Sequence, residues 1–574
     1  MTRSLYCFII CVYGSKIVLG STQNTQNEFK QTRVVITTLG EVEGTVHYAI
    51  DNSKPVYAFY SIPYAEPPIG SNRFQPPIPA KPWTGIRDAT KIRHFCIQDY
   101  EVANAGCSLL KPLPLNQPDD TKFYSEDCLE LDVYTPDINA KLPVMFWIHG
   151  GGFNVASGHL YNGTSLSAFR NVVIVSINYR LAHLGFLSTG DKHMPGNMGL
   201  KDQVEALKWV KQNIYAFGGE PNTVTIFGDS AGSWSTSAHL VSPMSKGLFK
   251  YAILQSGSIL TDIVVNEKPE DTFDEAAGFL GCANGTKSDI TNCVKQSSVE
   301  DIHKLVIKTA GFTKNDWVTV DGEFFPKHPK YLYEEADFSD TVVMIGTTEH
   351  EMYMYLAFWS HDGNYNYDTF LEEIKYPTEV FYQKDTVTVE NLNKIAKFYF
   401  ETDTTATDEK TYRDKALEIT TDFTMEFPVL NLTNTIVERG GKAFLYIFSH
   451  SPSYMRLSRS REAAAHLDEL FLLFGYGFIN PNKYNERITY SEEEETFAHI
   501  LMKYWTNFAK TGDPNSADLP LWPQFNLESE EYAVLQPQPY VRQLFRKEKF
   551  QFWKTFMQDI ENKRHVIKVK RDEL

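Results

Sequence analysis

Short runs of β-branched and aromatic residues recur along the middle of the chain, and each is followed by a segment of helical pattern. Three of these runs, at 144–148, 172–177 and 223–227, have the length and apolar content of buried strands. Strands that alternate with helices are typical of βαβ units, whose strands are parallel. The pattern therefore predicts an α/β fold with a mainly parallel sheet. Further strands are predicted at 251–254, 341–345 and 443–448.

The segments that flank this pattern have a different character. Residues 33–50 and 56–60 alternate between polar and apolar, as small antiparallel strands do. The stretch 59–83 contains so many prolines that it is predicted to follow a rigid, extended path over the surface. Residues 365–440 are predicted to be helices of a cap or outer layer. The chain has no internal repeat and no low-complexity linker, so a single large domain is expected over residues 21–560.

A candidate nucleophile comes directly after the strand at 223–227. The residues Gly228-Asp229-Ser230-Ala231-Gly232 match G-x-S-x-G, and 231–240 has a helical pattern. A strand, a tight turn and a helix form the setting of a nucleophile elbow, in which a serine is exposed above the sheet. The helix N-terminus would offer free N–H groups and a partial positive charge to a developing oxyanion. The pattern alone also fits an ordinary Gly-Ser turn.

A run of glycines follows the strand at 144–148, in the sequence His149-Gly150-Gly151-Gly152-Phe153. Glycines after a buried strand allow the backbone to approach another group closely and to direct N–H groups at it. A flexible loop would have the same composition. Upstream of an elbow, however, this run is typical of the HGGG-type oxyanion loop of lipases and esterases.

The N-terminus carries the features of a secretory signal. Arg3, the apolar run 5–13 and the small residue Gly20 predict a signal peptide over residues 1–20. A membrane anchor is the alternative, but Lys16 interrupts a run that is already too short to span a bilayer. No later stretch is long and apolar enough to be a transmembrane segment. A protein of the lumen or the cell exterior is therefore expected.

The C-terminus ends in Arg571-Asp572-Glu573-Leu574, one residue different from the K-D-E-L retrieval signal. Together with the signal peptide, this ending predicts a protein of the endoplasmic reticulum lumen that binds the retrieval receptor, with secretion as the alternative. Residues 561–574 are expected to form a basic, solvated tail that presents the tetrapeptide. Three N-x-S/T sequons are compatible with a lumenal protein: Asn162, Asn284 and Asn431.

Composition excludes several classes of protein. Hydrophobic residues make up 42% of the chain and aromatic residues 14%, which indicates a large folded core and not a disordered chain. The formal net charge of −17 argues against nucleic acid as a partner. No clustered set of His, Cys and Asp has the spacing of metal ligands, so neither a metal nor an organic cofactor is expected.

Taken together, these segments resemble the type-B carboxylesterase and cholinesterase family of α/β-hydrolases, and most of all its carboxylesterases of the endoplasmic reticulum lumen. The resemblance implies an α/β-hydrolase fold with a central, mostly parallel, twisted sheet flanked by helices. It also implies hydrolysis of carboxylic esters. The matching segments are Ser61–Tyr64, Arg73-Phe74, Glu126–Leu129, His149–Phe153, Gly196–Gln203, Phe217–Gly219, Gly228–Gly232 and Trp505–Lys510.

The family resemblance implies a Ser-Glu-His triad, with Ser230 as the nucleophile, Glu351 as the acid and His466 as the base. A serine hydroxyl is a poor nucleophile until a base takes its proton. Imidazole, with a reference pKa of about 6.5, can accept that proton, and a buried carboxylate holds it in the right tautomer. Glu349 is the alternative acid, and a structural role in the core is the alternative for His466.

The same resemblance implies that Gly151, Gly152 and Ala231 donate backbone N–H groups to the tetrahedral oxyanion. His149, at the head of the glycine run, is expected to position the loop and not to act as a base. His350 is expected to be a solvated neighbour of the acid.

Two disulfides are also implied by the family pattern: Cys96–Cys128 and Cys282–Cys293. Five cysteines follow the signal peptide, so Cys107 is left over and is expected to be a free thiol. Arg73 and Glu126 correspond to the structural ion pair of the family, which anchors the first disulfide loop.

The chain departs from the family pattern at three places. Ser233 stands where the family usually has glycine and is expected to crowd the elbow slightly, and Asp229 stands where the longer glutamate is more usual. Residues 97–127 contain no tryptophan, whereas cholinesterases stack the choline ammonium on a tryptophan of this loop. The absence argues against choline esters as the main substrate.

The leading hypothesis from the sequence is a lumenal serine carboxylesterase that forms an acyl-enzyme. A neutral lipase or acylglycerol hydrolase is an alternative, since it would share the triad. A non-catalytic binding protein of the same fold is a third hypothesis, and the intact Ser230, Glu351 and His466 count against it.

Overall fold

The computed structural model describes residues 31–49, 54–99, 124–261, 264–309, 317–353, 366–381, 388–400, 408–454, 463–479 and 488–572. A 13-stranded sheet runs through this part of the chain. The strands are β1 Thr32–Ile36, β2 Glu41–Tyr48, β3 Pro55–Pro63, β4 Ile86–Asp88, β5 Phe95–Cys96, β6 Tyr124–Ser125, β7 Glu130–Thr135, β8 Leu142–Ile148, β9 Val173–Ile177, β10 Gly219–Asp229, β11 Tyr251–Gln255, β12 Val342–Thr348, β13 Lys442–Phe448, β14 Tyr532–Leu535 and β15 Tyr540–Arg542. Strands β5 and β6 pair separately as a small parallel ladder.

Helices occupy most of the connections between the strands. They are α1 Thr164–Arg170, α2 Ala182–Phe186, α3 Met198–Asn213, α4 Ala231–Val241, α5 Pro269–Phe279, α6 Lys287–Gln296, α7 Val299–Thr309, α8 Pro329–Glu335, α9 Tyr367–Phe381, α10 Val389–Tyr399, α11 Glu409–Thr421, α12 Phe427–Glu438, α13 Asp468–Leu473, α14 Glu492–Thr511 and α15 Lys547–Asp572. A π-helical turn, Asp422–Glu426, joins α11 directly to α12.

The large sheet has an antiparallel edge and a parallel centre. Its strand order is β1-β2-β3-β7-β9-β8-β10-β11-β12-β13-β14-β15, with β4 beside β2. The pairs from β9 to β14 are all parallel, whereas the pairs from β1 to β9 and the last pair are antiparallel. The predicted mostly parallel sheet and the predicted antiparallel strands near the N-terminus are both confirmed. The parallel strands end at one edge, and the candidate site lies there.

The central strands are buried on both faces. In β8, Val144, Phe146 and Ile148 pack into one hydrophobic cluster, while Met145 and Trp147 pack into another on the opposite face. Successive side chains of a strand point to opposite faces, so an unbroken apolar run is what two covered faces require. This explains why these strands were recognisable from their sequence.

The proline-rich stretch at 59–83 is only partly a surface path. Strand β3 continues through Ser61 to Pro63, and Tyr64 is buried, with its hydroxyl donating to Asn178 O at 2.7 Å. The predicted surface position is therefore wrong for this part of the stretch. A proline at the end of a strand removes no ladder hydrogen bond that the fold needs, so the strand can enter the core.

The helices predicted over 365–440 are present and form a layer with the last helix of the chain. Phe370, Leu392 and Tyr412 from this layer share a hydrophobic cluster with Trp553 and Phe556 of α15. Helix α15 ends at Asp572, so most of the predicted tail continues a helix. The predicted signal peptide, Cys107 and the last two residues lie outside the described residues.

Candidate active site

Ser230 lies in the turn between β10 and α4. Its backbone has φ 57° and ψ −123°, a combination that non-glycine residues rarely adopt and that turns the chain sharply from strand to helix. The turn is held because the Ser230 N–H donates to Gln255 O, at the end of β11, at 2.9 Å. The strand, the turn and the helix predicted around 228–232 are therefore all present.

The two glycines of the turn have no room for a side chain. A Cβ atom at Gly228 would come within 2.5 Å of Ile148 O, and one at Gly232 would come within 2.0 Å of the same oxygen. Both distances are far shorter than a carbon–oxygen contact allows. The close approach of β8 to the turn thus depends on glycine at both positions of the G-x-S-x-G pattern.

The glycine loop after β8 lies against the turn that carries Ser230. A Cβ atom at Gly150 would be 3.0 Å from Ser230 Cβ. Gly151 and Gly152 have φ values of 100° and 62°, which side-chain-bearing residues rarely adopt. Within the described part of the chain, the N–H groups of Gly151, Gly152 and Ala231 donate to no acceptor. Three backbone donors are thus available on the two segments next to Ser230.

Glu351 and His466 are joined by a short hydrogen bond. Glu351 follows β12, His466 precedes α13, and Glu351 Oε2 lies 2.6 Å from His466 Nδ1. The other carboxylate oxygen accepts from the Thr348 N–H at 2.7 Å, and both side chains are buried. Glu349, the alternative acid, instead accepts a hydrogen bond from Ser449 Oγ. The structure therefore pairs the histidine with Glu351.

The second nitrogen of His466 faces the nucleophile turn. Nε2 lies 3.8 Å from Oδ2 of Asp229, the residue immediately before Ser230. Among the residues described, no hydrogen bond joins Nε2 to Ser230 Oγ. Catalytic hydrogen bonds are often long in a free enzyme and tighten when substrate binds. The three candidate residues thus lie at one edge of the sheet. Glu351 and His466 are hydrogen-bonded to each other, whereas His466 and Ser230 are not.

Two carboxylates set the charge of His466. Burial alone lowers the pKa of the imidazole, but the charges of Asp229 and Glu351 outweigh burial and raise the pKa to about 9. Asp229 is fully buried, and neither of its oxygens has a hydrogen-bond partner in the described structure. Burial raises the pKa of Asp229 well above its usual value, and the positive charge of His466 opposes that rise. The surroundings therefore favour an imidazolium, the form that arises when the histidine takes a proton from serine.

A further polar chain lies behind His466, and the sequence did not assign it to the site. Gln255 Nε2 donates to Glu469 Oε1 at 3.0 Å, and Trp505 Nε1 donates to Gln255 Oε1 at 3.1 Å. Burial raises the pKa of Glu469 to about 7. The only signal in the sequence was an acidic residue three positions after the histidine. Nothing in the spacing connects it with Gln255 or Trp505, which are distant along the chain.

Two other histidines border the site. His149 stacks on Tyr179 with 4.4 Å between ring centroids, its Nδ1 is 2.8 Å from Gly150 O, and burial lowers its pKa to about 4. These contacts agree with a role in positioning the glycine loop. His350 is not the solvated neighbour that was expected, because it is half-buried against Tyr353 and burial lowers its pKa.

Both disulfides implied by the family pattern are formed, Cys96–Cys128 and Cys282–Cys293. The predicted ion pair is also present: Arg73 Nε and Nη2 lie 2.6 and 2.7 Å from the two carboxylate oxygens of Glu126. Arg73 Nη1 donates in addition to Lys295 O at 3.0 Å and to Ser297 O at 2.6 Å. Arg73 therefore joins the first disulfide loop to the end of α6, the helix that carries Cys293.

Ser233 fits into the first turn of α4 without crowding the elbow. Its side chain is fully buried, and Oγ donates to Gly257 O at 2.7 Å. The hydroxyl thus has a partner in the core, and the expected crowding is not found.

The three sequons differ in accessibility. Asn284 is exposed between α5 and α6, whereas Asn431 is half-buried within α12. Asn162 is only 9% exposed, and its Oδ1 accepts from the Thr164 N–H at 2.9 Å. In the folded chain, Asn284 is the sequon whose side chain is open to solvent.

In the part of the chain that the structure describes, no helix combines the length and the apolar character needed to cross a membrane. A model of the carboxylesterase family matches residues 31–553. The chain is 36% identical to the pyrethroid hydrolase Ces2e of Rattus norvegicus over 534 residues, which cover 91% of this chain and 89% of the relative. It is 35% identical to carboxylesterase 3 of Homo sapiens over 527 residues, 90% of each chain. Cocaine esterase of Homo sapiens is 35% identical over 559 residues, 96% of this chain and 95% of the relative.

Proposed function

Because the chain belongs to the carboxylesterase family, whose fold is the predicted α/β-hydrolase fold, it is a carboxylic ester hydrolase, and we propose that it works through an acyl-enzyme formed on Ser230. In this proposal Glu351 and His466 complete a Ser-Glu-His triad. The observation that carries it is the 2.6 Å bond between Glu351 and His466, whose free nitrogen faces the strained turn that presents Ser230.

The first half of the reaction transfers the acyl group to the serine. Ser230 Oγ attacks the ester carbonyl carbon while His466 Nε2 takes the hydroxyl proton, and a tetrahedral oxyanion forms. The carbonyl re-forms as the carbon–oxygen bond to the alcohol breaks, and His466 returns the proton to the departing alkoxide. Glu351 keeps Nδ1 protonated throughout, so that Nε2 is the nitrogen free to accept.

The second half consumes water. His466 takes a proton from a water molecule, whose oxygen attacks the acyl-enzyme, and a second oxyanion collapses to release the carboxylic acid and Ser230. The N–H groups of Gly151, Gly152 and Ala231 would stabilise both oxyanions. A donor that is fixed in place before the charge develops needs no reorganisation, and the loss of one typically costs about 3 kcal/mol.

The decisive experiment compares wild type with Ser230→Ala on p-nitrophenyl acetate, butyrate and laurate, together with acetylthiocholine and triolein. We expect hydrolysis of the short acyl esters by wild type and a loss of at least a thousandfold in kcat for S230A. Ser233→Ala serves as the matched control, since it removes a neighbouring serine hydroxyl that bonds Gly257 and lies outside the triad. Wild type that hydrolyses none of these esters would overturn the proposal.

The names of the relatives, which include a pyrethroid hydrolase and a cocaine esterase, support small-molecule esters as the substrates. The substrate panel addresses this separately from the triad. Faster turnover of triolein than of p-nitrophenyl butyrate would instead support an acylglycerol hydrolase.

The proposed location is the lumen of the endoplasmic reticulum, on the basis of residues 1–20 and the ending Arg571–Leu574. Deletion of the last four residues should release the protein from cells into the medium, while the full chain is retained. Treatment with an N-glycosidase should lower the apparent mass, and Asn284→Gln should remove the accessible glycan. Cytoplasmic recovery of the full chain without glycan would contradict this part of the proposal.

A further inference from the structure

A group of five charged side chains, two of them almost fully buried, lies near the start of the last helix. Arg546 Nη1 is 2.8 Å from Asp422 Oδ1 and 2.7 Å from Glu426 Oε2. Lys549 Nζ is 2.7 Å from Glu418 Oε1 and 2.7 Å from Asp422 Oδ2. We call these five residues the C-terminal ion cluster. It joins the beginning of α15 to the end of α11 and to the π-helical turn.

The contacts of the C-terminal ion cluster fix the positions of its buried side chains. The side chains of Asp422 and Glu426 are 2% and 4% exposed, so their charges depend on their partners. The Tyr399 hydroxyl donates to Asp422 Oδ2 at 2.6 Å, and Trp553 Nε1 donates to that hydroxyl at 2.8 Å. Each polar group of this chain of contacts is therefore fixed by the next one.

The π-helical turn also holds the loop that carries Glu351. The N–H of Met352, the residue after Glu351, donates to Thr421 Oγ1 at 3.2 Å, and Thr421 immediately precedes the turn. The Met352 side chain packs with Leu417 and Met425 in a small buried cluster of its own. The backbone next to the acid thus rests on the segment that the C-terminal ion cluster fixes.

The charges of the C-terminal ion cluster also act on the residues that precede Glu351 in the same loop. Burial lowers the pKa of Arg546, but the carboxylates around it, including that of Glu349, outweigh burial and raise that pKa. Burial lowers the pKa of His350; the charge of Arg546 adds to this effect, and the carboxylates of Glu349, Glu418 and Asp422 oppose it. Residues on both sides of Glu351 are therefore coupled to the cluster.

We propose that Arg546 and Asp422 are positioning residues for ester hydrolysis: they fix the π-helical turn, and through the Thr421–Met352 hydrogen bond they hold the Glu351 carboxylate against His466. The proposal rests on the proposed function of Ser230, Glu351 and His466. Neither positioning residue contacts the reacting atoms. Their effect is on the orientation of the acid, and hence on kcat and not on substrate affinity.

The competing explanation is that the cluster only fastens α15 to the rest of the fold. It would then affect the fraction of folded protein but not the turnover of each folded molecule. Labelling of Ser230 with diethyl p-nitrophenyl phosphate counts competent sites, so kcat per labelled site separates the two explanations.

The test uses the full-length chain and Arg546→Gln, Arg546→Lys and Thr421→Val. We expect R546Q to lower kcat per labelled site at least tenfold, with KM within twofold of wild type, and R546K to recover most of the loss. T421V removes the acceptor for the Met352 N–H but leaves every ion pair in place, so it should lower kcat per labelled site several-fold with little change in the thermal midpoint. The matched control is Lys394→Gln, which breaks the exposed 3.1 Å pair between α10 and Asp559 of α15 and should leave kcat unchanged.

Normal kcat per labelled site in both R546Q and T421V would overturn the proposal, and T421V decides the matter alone if R546Q does not fold. A wild type that neither hydrolyses esters nor reacts with the phosphate ester would overturn the proposed function itself, together with this inference, before any variant is compared.

Discussion

At the scale of single residues, the main feature of the site is that three carboxylates lie around the imidazole of His466. Glu351 bonds Nδ1 of His466, Asp229 faces Nε2, and Glu469 lies behind them, all in a buried setting. Water screens charges weakly in such a place, so each carboxylate has a large influence on the pKa of the histidine. The role of each acid can therefore be separated by its effect on rate and on pH dependence.

Asp229→Asn should move the pH profile of kcat/KM to lower pH. The reaction needs neutral His466, whose pKa is raised to about 9, so kcat/KM climbs as pH rises through that value. Removal of the anion that faces Nε2 lowers this pKa, so the rise begins at lower pH and kcat/KM at pH 7 increases several-fold. The control is Asp191→Asn, which changes an aspartate beside His193 on the surface. An unchanged profile would contradict the contribution of an Asp229 anion to the pKa of His466, and would mean that burial keeps this carboxyl protonated in the free enzyme.

Glu351→Gln should lower kcat by about a thousandfold or more, because the amide can stabilise neither the imidazolium nor the required tautomer. Glu349→Gln is the matched control, since this carboxylate bonds Ser449 and not His466. It should cost less than tenfold. Equal losses in the two variants, measured on p-nitrophenyl butyrate, would remove the distinction between the two acids.

At the scale of elements, three segments with unusual backbones contribute to the proposed site: the elbow at Ser230 and the glycine loop after β8 directly, and the π-helical turn through its contact with the loop that carries Glu351. The first two were recognisable because glycine spacing reports directly on backbone geometry. The π-helical turn was not, because Asp422–Glu426 lies inside a continuous helical pattern between α11 and α12. The additional residue of the π-helical turn changes the direction in which the following side chains point, but no feature of the sequence indicates it.

Gly151→Ala should disable the glycine loop. Its φ of 100° is unfavourable for alanine, and the added Cβ would lie 2.2 Å from Val155 O, so the loop must shift and its N–H groups move away from the oxyanion. We expect a fall in kcat of about a hundredfold or more with labelling of Ser230 retained but slowed. Gly247→Ala is the control, because it has a similar positive φ of 77° but open space around the added Cβ. Wild-type kcat in G151A would contradict the proposed role of this loop in binding the oxyanion.

Arg73→Ala should destabilise the fold strongly. Its guanidinium holds the buried Glu126 and two backbone carbonyls at the end of α6, and the loss of one partner of a buried pair typically costs about 3–5 kcal/mol. The measurement is the thermal midpoint at fixed protein concentration and scan rate, with disulfides intact. Lys81→Ala breaks an exposed pair with Glu66 of similar length and should cost no more than about 1 kcal/mol. Similar midpoints for the two variants would contradict a special role for Arg73.

At the scale of the whole molecule, the centre of the sheet was predictable from the sequence and its far edge was not. Strands such as β8 and β10 are apolar on both faces, so each is recognisable in the sequence as a continuous apolar run. Strands β14 and β15 have only four and three residues, and prolines lie between them. Because short segments next to prolines are typical of loops, the sequence did not indicate that they form the edge of the sheet. In the same way, the proposed triad followed from family motifs, but the approach of Asp229 to His466 and the hydrogen bonds from Glu469 through Gln255 to Trp505 depend on contacts across the sheet.

The order of these segments along the chain also determines when the proposed triad can first form during synthesis. Ser230 directly follows β10, Glu351 follows β12 and His466 lies beyond β13, so the proposed triad is assembled from segments that are synthesised at widely separated times. Strand β14, which closes the parallel part of the sheet against β13, is made later still. A nascent chain that ends before His466 therefore contains Ser230 but lacks the proposed base, so ester hydrolysis through the proposed triad requires synthesis to proceed beyond β13.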